Sequence, residues 1–242
     1  ATGGAMIAAA GKTARKYKCD RGEVDEIAFY RHKQYFDTKE GDFFDNVLVP
    51  LDLLNVQGRP LGRIDDDLGV RMLTMSGLRA MRELDTCVTS GTQTHASDGM
   101  AGLLVTSEGK AREISPRPEI DIQLIGKGEV RAKPSLMPEA PSFAVRRLLE
   151  RTGLAMKDIA VVQCHNPFAA NDVIFSKLLD HPWQEMNRTG CSLVWGHPQG
   201  PTLTRMLIEG LEEAGAMDGV TVFHAGTALE GDTVVTSGGR VL

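Results

Sequence analysis

A histidine stands between glycines and prolines in the stretch Trp195-Gly196-His197-Pro198-Gln199-Gly200-Pro201-Thr202, just ahead of a segment with helical spacing. Glycine and proline restrict the backbone in such a loop, which fixes the imidazole where a strand turns into a helix. An imidazole held there can act as a base toward a thiol, donate to a carbonyl oxygen, or only complete a hydrogen bond of the core. The stretch alone leaves these three uses open.

Two further histidines follow runs with strand-like composition. His165 comes after the apolar run at residues 159–162, and His224 comes after the run at residues 220–223. In open α/β sheets, functional sites lie at the carboxyl ends of the strands. We therefore expect His165, His197 and His224 to line one crevice.

The remaining pattern predicts an α/β protein in which helices cover a sheet. The predicted helices are residues 22–40, 142–151 with Ser142 as N-cap and Gly153 beyond its end, 171–179 and 202–214. The predicted strands are residues 120–126, 159–162, 220–223 and 233–236, with a short β-like run at 47–50. Residues 58–69 are expected to form an exposed loop, and the apolar residues 100–105 a buried helix or strand.

Composition and charge exclude several classes of function. The net charge of -5 and the pI of about 5.7 provide no basic surface for a phosphate backbone, so we expect no nucleic-acid partner. No window is apolar enough to span a bilayer, and the first residues lack the features of a secretory signal. We therefore expect a cytoplasmic protein without a membrane segment.

The four cysteines are Cys19, Cys87, Cys164 and Cys191, at long spacings that match no zinc-binding pattern. This spacing predicts free thiols in a reducing compartment and no metal site.

Several segments resemble thiolases. Gly196-His197-Pro198-Gln199-Gly200 is similar to the family's G-H-P-x-G loop, whose histidine activates the nucleophilic cysteine and helps to form an oxyanion hole. The run Cys164-His165-Asn166-Pro167-Phe168-Ala169 resembles the N-E-A-F or H-D-C-F loop, with His165 placed as in sterol-carrier-type thiolases. Residues 88–99 align without a gap with V-T-A-G-N-A-S-G-I-N-D-G, and residues 21–34 and 41–50 resemble the helix and the G-x-F-D-x-E-I-V-P run of the family. The resemblance covers nearly the whole chain in the family's own order.

The resemblance implies a thiolase-like layered α/β fold. It consists of the C-terminal α/β half (residues 113–242), preceded by the loop-domain part and end of the N-terminal half (residues 1–112). Catalytic roles are implied for His197 and for His165, which would help to bind the thioester oxygen. Substrate contacts are implied for Phe168, for Thr94 in place of a serine near the coenzyme A arm, and for Arg71 near the nucleotide. Coenzyme A would be a co-substrate, and no permanently bound cofactor is expected.

The chain also departs from the family in two places. The segment that carries the nucleophilic cysteine in thiolases has no counterpart here, and none of the four cysteines stands at a strand-to-helix turn of that kind. Near the C-terminus, His224 stands where thiolases have a second cysteine in a C-x-G-G-G loop. His224 would then take over the proton transfer at the α-carbon.

These features favour one subunit of a split thiolase that cleaves or forms a 3-oxoacyl-CoA by Claisen chemistry, with the nucleophilic cysteine supplied by a partner chain. A small accessory subunit is a further partner that we consider. Two alternatives stay open: a thiolase-like aldolase that acts on a CoA thioester without cysteine, and a non-catalytic structural half.

Overall fold

This computed structural model describes residues 6–118, 120, 122–215, 221–227 and 234–241, and for the last two ranges it describes only the backbone. The helices in these ranges are α1 (Met6–Lys16), α2 (Arg21–Lys39), α3 (Met75–Ala80), α4 (Glu108–Ile114), α5 (Ala140–Thr152), α6 (Ala170–Leu179), α7 (Ser192–Trp195) and α8 (Gly200–Gly215). The strands are β1 (Leu51–Leu54), β2 (Pro60–Ile64), β3 (Ile122–Val130), β4 (Val161–Cys164), β5 (Thr221–Thr227) and β6 (Val234–Val241).

Four strands form a mixed sheet with the order β3-β6-β5-β4. The pairs β3–β6 and β6–β5 are antiparallel, whereas β5 and β4 are parallel, with Val161 opposite Val222 and Cys164 opposite Ala225. Strands β1 and β2 form a separate antiparallel hairpin. The predicted strands of the C-terminal part are thus confirmed, with ends shifted by a few residues.

Helices cover both faces of the sheet. Successive side chains of a strand point to opposite faces. On the buried strand β4, Val161 packs with Ala214 of α8, whereas its neighbour Val162 belongs to the main core with Val145 of α5 and Phe175 of α6. This layered arrangement confirms the predicted α/β class.

Helix α2 forms where the sequence predicted it. Asp20 is its N-cap and accepts a hydrogen bond from the Glu23 N–H at 3.0 Å. Val24, Ile27 and Ala28 are fully buried, so helical spacing places one stripe of the helix in the core.

Helix α5 begins earlier than predicted, since its first residue is Ala140 and its N-cap is Glu139. The prediction of Ser142 as the N-cap is thus wrong. The helix can begin before Pro141, because a proline in the first turn of a helix breaks no hydrogen bond with its missing N–H. The predicted end is confirmed, because Gly153 closes the helix in the left-handed conformation with φ 73°.

Residues 58–69 are not only a loop, because they include β2. Asn55 Oδ1 accepts hydrogen bonds from the Gln57 and Arg59 N–H groups, both at 2.9 Å, and this side-chain turn reverses the chain between β1 and β2. The β-like run at residues 47–50 is also wrong, since β1 begins only at Leu51.

Residues 100–105 form neither a helix nor a strand, contrary to prediction. Three of their apolar side chains are largely exposed: Met100 at 87%, Leu104 at 75% and Val105 at 82%. Apolar composition was identified correctly, but burial requires neighbouring strands, and within the described part of the chain this segment pairs with none.

Candidate active site

His197 lies in a loop between two helices, α7 and α8, and not after a strand as predicted. Its backbone N–H donates to the carbonyl oxygen of His95 at 2.8 Å. Its ring Nδ1 lies 2.7 Å from Thr202 Oγ1 in the first turn of α8. With the backbone and one ring nitrogen held, Nε2 is the nitrogen left for a reaction partner.

Gly196 allows the loop of His197 to approach residues 95–99. It has φ 96°, and a Cβ added there would lie 2.6 Å from Ser97 Oγ and 3.0 Å from His95 Nε2. A larger residue would therefore be strained and would also push the two segments apart. This explains why a glycine precedes the histidine.

His165 directly follows strand β4 and is only 2% exposed. Its Nδ1 lies 2.7 Å from Ser192 Oγ at the start of α7. Ser192 Oγ also donates to Asn166 Oδ1 at 3.5 Å. The ring is therefore fixed by a second loop and presents Nε2 as its remaining nitrogen.

The two imidazoles lie side by side, as the sequence predicted. Their ring centroids are 4.4 Å apart, with an angle of 38° between the planes. Burial and, to a smaller extent, the neighbouring His197 together lower the pKa of His165 to about 3. Burial also lowers the pKa of His197. Both rings are thus neutral near pH 7, the form that can accept a proton.

The buried state of His165 makes stability dependent on pH. The unfolded chain binds a proton at a histidine near the ordinary pKa of 6.5, whereas folded His165 binds it only near 3. Between these values the unfolded state carries more protons, so the free energy of unfolding decreases as the pH falls. Urea unfolding at about pH 7 and about pH 5 should therefore show a larger loss for the wild type than for His165→Asn. Equal losses would contradict the lowered pKa.

Thr94 belongs to a third segment that meets these loops. Its N–H donates to the carbonyl oxygen of Pro167 at 2.7 Å, and its hydroxyl donates to the carbonyl oxygen of Ser192 at 2.5 Å. The Ala169 N–H donates to the carbonyl oxygen of Thr92 at 2.9 Å. Thr94 thus joins the loop that carries His165 to the start of α7, the helix before the loop of His197, and its contact with coenzyme A stays a prediction.

Phe168 and Arg71 lie in different surroundings. Phe168 is buried and packs with Ala10 and Val88. Arg71 is exposed and makes no hydrogen bond or ion pair with any residue that the structure describes. The structure gives Phe168 a packing role and leaves Arg71 free to meet a ligand, and the substrate contacts of both stay predictions.

His224 lies within β5 and not after its end, which corrects the expectation of three histidines at three strand ends. In the parallel pair, His224 is opposite Gln163, two residues before His165. Its side chain lies outside the described part of the structure. Its convergence with the other two histidines therefore stays a prediction.

None of the four cysteines is an activated nucleophile. All are free thiols, as predicted. Burial raises the pKa of Cys191 to about 12, that of Cys19 to about 11 and that of Cys164 well above its ordinary value. Burial also raises the pKa of Cys87. The reactive species of a cysteine is the thiolate, which all four environments disfavour.

Sequence reasoning missed the residues that hold the imidazoles. Ser192 and Thr202 each contact a ring nitrogen, and Thr202 stands within the quoted histidine stretch. Asn166 connects Ser192 to a buried ion pair between Arg31 and Asp172, whose Nε and Oδ2 are 2.9 Å apart. Ser192 lies 27 residues from His165, and Asp172 lies 141 residues from Arg31, and separations of this size leave no local sequence signal.

Within the described ranges, no group of three or more histidine, cysteine or acidic side chains is arranged to hold a metal ion. In the same ranges, no helix has the length and apolar character that crossing a bilayer requires.

Two imidazoles held neutral beside converging loops form the type of site that performs proton transfer.

Comparison with known proteins is consistent with this class. Residues 120–237 match the family described as thiolase, C-terminal domain. A curated relative from Staphylococcus epidermidis, described as "Probable acetyl-CoA acyltransferase", is 28% identical over 202 residues, which cover 82% of this chain and 50% of that protein. The chain thus spans about half the length of the curated relatives it matches.

Solved structures match almost the whole chain. The Bacillus anthracis acetyl-CoA acetyltransferase has a TM-score of 0.88 at 23% identity, over 98% of this chain and 60% of that one. The human mitochondrial 3-ketoacyl-CoA thiolase in complex with CoA has a TM-score of 0.82 at 19% identity, over 97% of this chain and 58% of that one. The chain therefore has a thiolase-like fold, and its residues 120–237 match the C-terminal domain of thiolases.

Proposed function

We propose that this chain is one subunit of a thiolase-type acyl-CoA C-acyltransferase, whose nucleophilic cysteine comes from a partner chain. One observation carries the proposal: the neutral pair His165–His197 is assembled, while all four cysteines of this chain have raised pKa values. A base without a nucleophile is half of a site for acyl transfer. Coenzyme A would be the co-substrate.

In the proposed reaction, His197 Nε2 takes the proton of the partner's thiol. The thiolate then attacks the 3-oxo carbon of the acyl-CoA, and the carbonyl electron pair moves to oxygen, where hydrogen-bond donors stabilise it. Return of that pair breaks the bond between the α-carbon and the former carbonyl carbon, and the departing enolate takes a proton at the α-carbon. We assign this last proton transfer to His224. Attack by the thiol of coenzyme A then releases the acyl group and restores the cysteine.

The partner would cover the apolar segment at residues 100–105. This segment is exposed and unpaired in the part of the chain that the structure describes. Exposed apolar runs of this kind typically mark interaction surfaces. We assign the segment to a strand position in a sheet that the rest of a thiolase fold would provide, since about two-fifths of each solved thiolase lies outside the matched region.

Leu104→Asp should weaken the complex with the partner by at least about 100-fold in Kd, because a buried carboxylate without a counter-charge is costly. Leu124→Asp is the matched control. Leu124 is 65% exposed on β3, an edge strand of the four-stranded sheet of this chain, where a charge is tolerated. Calorimetric titration of the two purified chains measures both values. An unchanged Kd for Leu104→Asp would place the interface elsewhere.

A thiolysis assay tests the proposed function. The chain alone, the partner alone and the mixture are incubated with acetoacetyl-CoA and coenzyme A, and the loss of acetoacetyl-CoA is followed. We expect turnover only in the mixture. Equal turnover after the partner's cysteine is replaced by serine would favour the aldolase, and no turnover in any sample would favour a structural half.

A further inference from the structure

A buried chain of polar side chains leads from helix α2 to the ring of His165. Arg31 Nε donates to Asp172 Oδ2 at 2.9 Å, and Asn166 Nδ2 donates to the same oxygen at 3.2 Å. Asn166 Oδ1 then accepts from Ser192 Oγ at 3.5 Å, and this hydroxyl lies 2.7 Å from His165 Nδ1. Arg31, Asp172, Asn166 and Ser192 define what we name the Arg31 relay.

The first hydrogen bond of the Arg31 relay has a fixed donor and a fixed acceptor. The guanidinium of Arg31 has no acceptor atom and stays charged, so Asp172 Oδ2 must accept. Three further N–H groups of Arg31 donate to Gln34 Oε1 and to the carbonyl oxygens of Met186 and Trp183, at 2.5 to 2.7 Å. Both side chains of the ion pair are completely buried. Burial raises the pKa of Asp172, and Arg31 opposes this shift by favouring the carboxylate.

The first hydrogen bond determines which atom donates in each of the following ones. Because Asp172 Oδ2 accepts, Asn166 must turn its NH₂ group toward it and its Oδ1 toward Ser192. Asn166 Oδ1 is a carbonyl oxygen that only accepts, so in its 3.5 Å contact with Ser192 Oγ the hydroxyl of Ser192 is the donor. Ser192 Oγ is then left to accept from His165, which requires the proton of the neutral imidazole to be on Nδ1.

We propose that the Arg31 relay fixes the tautomer of His165, with the proton on Nδ1 and a lone pair on Nε2, the nitrogen left for the substrate. His165 then accepts a hydrogen bond at the site, whereas a donor role toward the thioester oxygen would require the proton on Nε2. The opposite tautomer would require Ser192 to donate to His165, which would leave the buried Asn166 Oδ1 without this donor at a cost in free energy.

Arg31, Asp172, Asn166 and Ser192 are thus positioning residues for His165. The consequence for the reaction rests on the proposed thiolase function. The donors that hold the oxyanion would then be groups other than His165, while His165 orients a proton-bearing group such as a thiol or a water molecule. The tautomer itself does not depend on that function and can be measured without any turnover.

Nitrogen-15 NMR of the full chain, in the complex with its partner and with labelled histidine, tests the proposal. The shifts of the two ring nitrogens differ strongly between the protonated and unprotonated states, and comparison with His165→Asn assigns the pair that belongs to this ring. We expect Nδ1 at the protonated position and Nε2 at the unprotonated one. The reverse pattern in the wild type would overturn the proposal.

Two variants test the relay itself. Asn166→Ala removes the acceptor of the Ser192 hydroxyl, and the double variant Arg31→Met/Asp172→Leu removes the residues that orient Asn166 while replacing a buried ion pair with apolar side chains, which proteins often tolerate. In each, the two nitrogen shifts of His165 should move toward each other or exchange. Gln163→Leu is the control, since Gln163 is a buried amide of β4 outside the relay, and it should leave them unchanged. Unchanged shifts in both relay variants would overturn the proposal even if the complex proves to be an active thiolase.

Discussion

Replacement of His197 by alanine is expected to lower the turnover number of the reconstituted complex by at least about 100-fold. Thr202 Oγ1 and the carbonyl oxygen of His95 hold this residue, so that Nε2 alone is available for the partner's thiol. At neutral pH the neutral ring accepts the thiol proton, and alanine offers no replacement. Steady-state thiolysis of acetoacetyl-CoA by the complex measures the loss.

The loss should appear mainly in kcat, because the imidazole takes part in a chemical step. His181→Ala is the control. His181 follows α6, is buried, and has no hydrogen bond to either imidazole of the site within the described residues. Its replacement should leave kcat within about threefold of the wild type. Near-normal turnover of the His197→Ala complex would remove this histidine from the mechanism.

Replacement of Arg31 by methionine is expected to lower the free energy of unfolding by about 3–5 kcal/mol, because it leaves the carboxylate of Asp172 buried without its counter-charge. The change also leaves three hydrogen-bond acceptors of Arg31 without a donor, on Gln34, Trp183 and Met186. Urea unfolding followed by tryptophan fluorescence measures it, since Trp183 lies 5.8 Å from the Arg31 guanidinium.

The double variant Arg31→Met/Asp172→Leu separates the cost of an unpaired charge from the value of the pair. It removes both charges together and should regain most of the stability lost in the single variant. If the double variant were as unstable as Arg31→Met, the stabilising effect would come from the pair's hydrogen bonds to its surroundings and not from charge compensation.

The sequence predicts the meeting of His165 and His197, because functional residues gather at the carboxyl ends of strands, although His197 in fact lies between two helices. It also predicts a sheet covered by helices, since strand-like and helical segments alternate along the C-terminal part of the chain. The positions of these elements come from local patterns, which a single sequence contains.

Long-range pairing is what the sequence does not reveal. Arg31 stands on the buried stripe of α2 with Ile27 and Ala28, a position that indicates a satisfied buried charge. Its partner Asp172 is 141 residues away, so only the fold brings them together. The exposed state of residues 100–105 is the same kind of case, because burial of an apolar run depends on strands elsewhere in the fold.

Mass spectrometry of the acylated complex tests the split-thiolase proposal most directly. The complex is incubated with acetoacetyl-CoA without free coenzyme A, quenched, digested, and searched for acyl groups on cysteine. We predict acylation of one cysteine of the partner chain and none at Cys19, Cys87, Cys164 or Cys191. An acyl group on one of these four cysteines, or turnover without any acylated cysteine, would contradict the proposal.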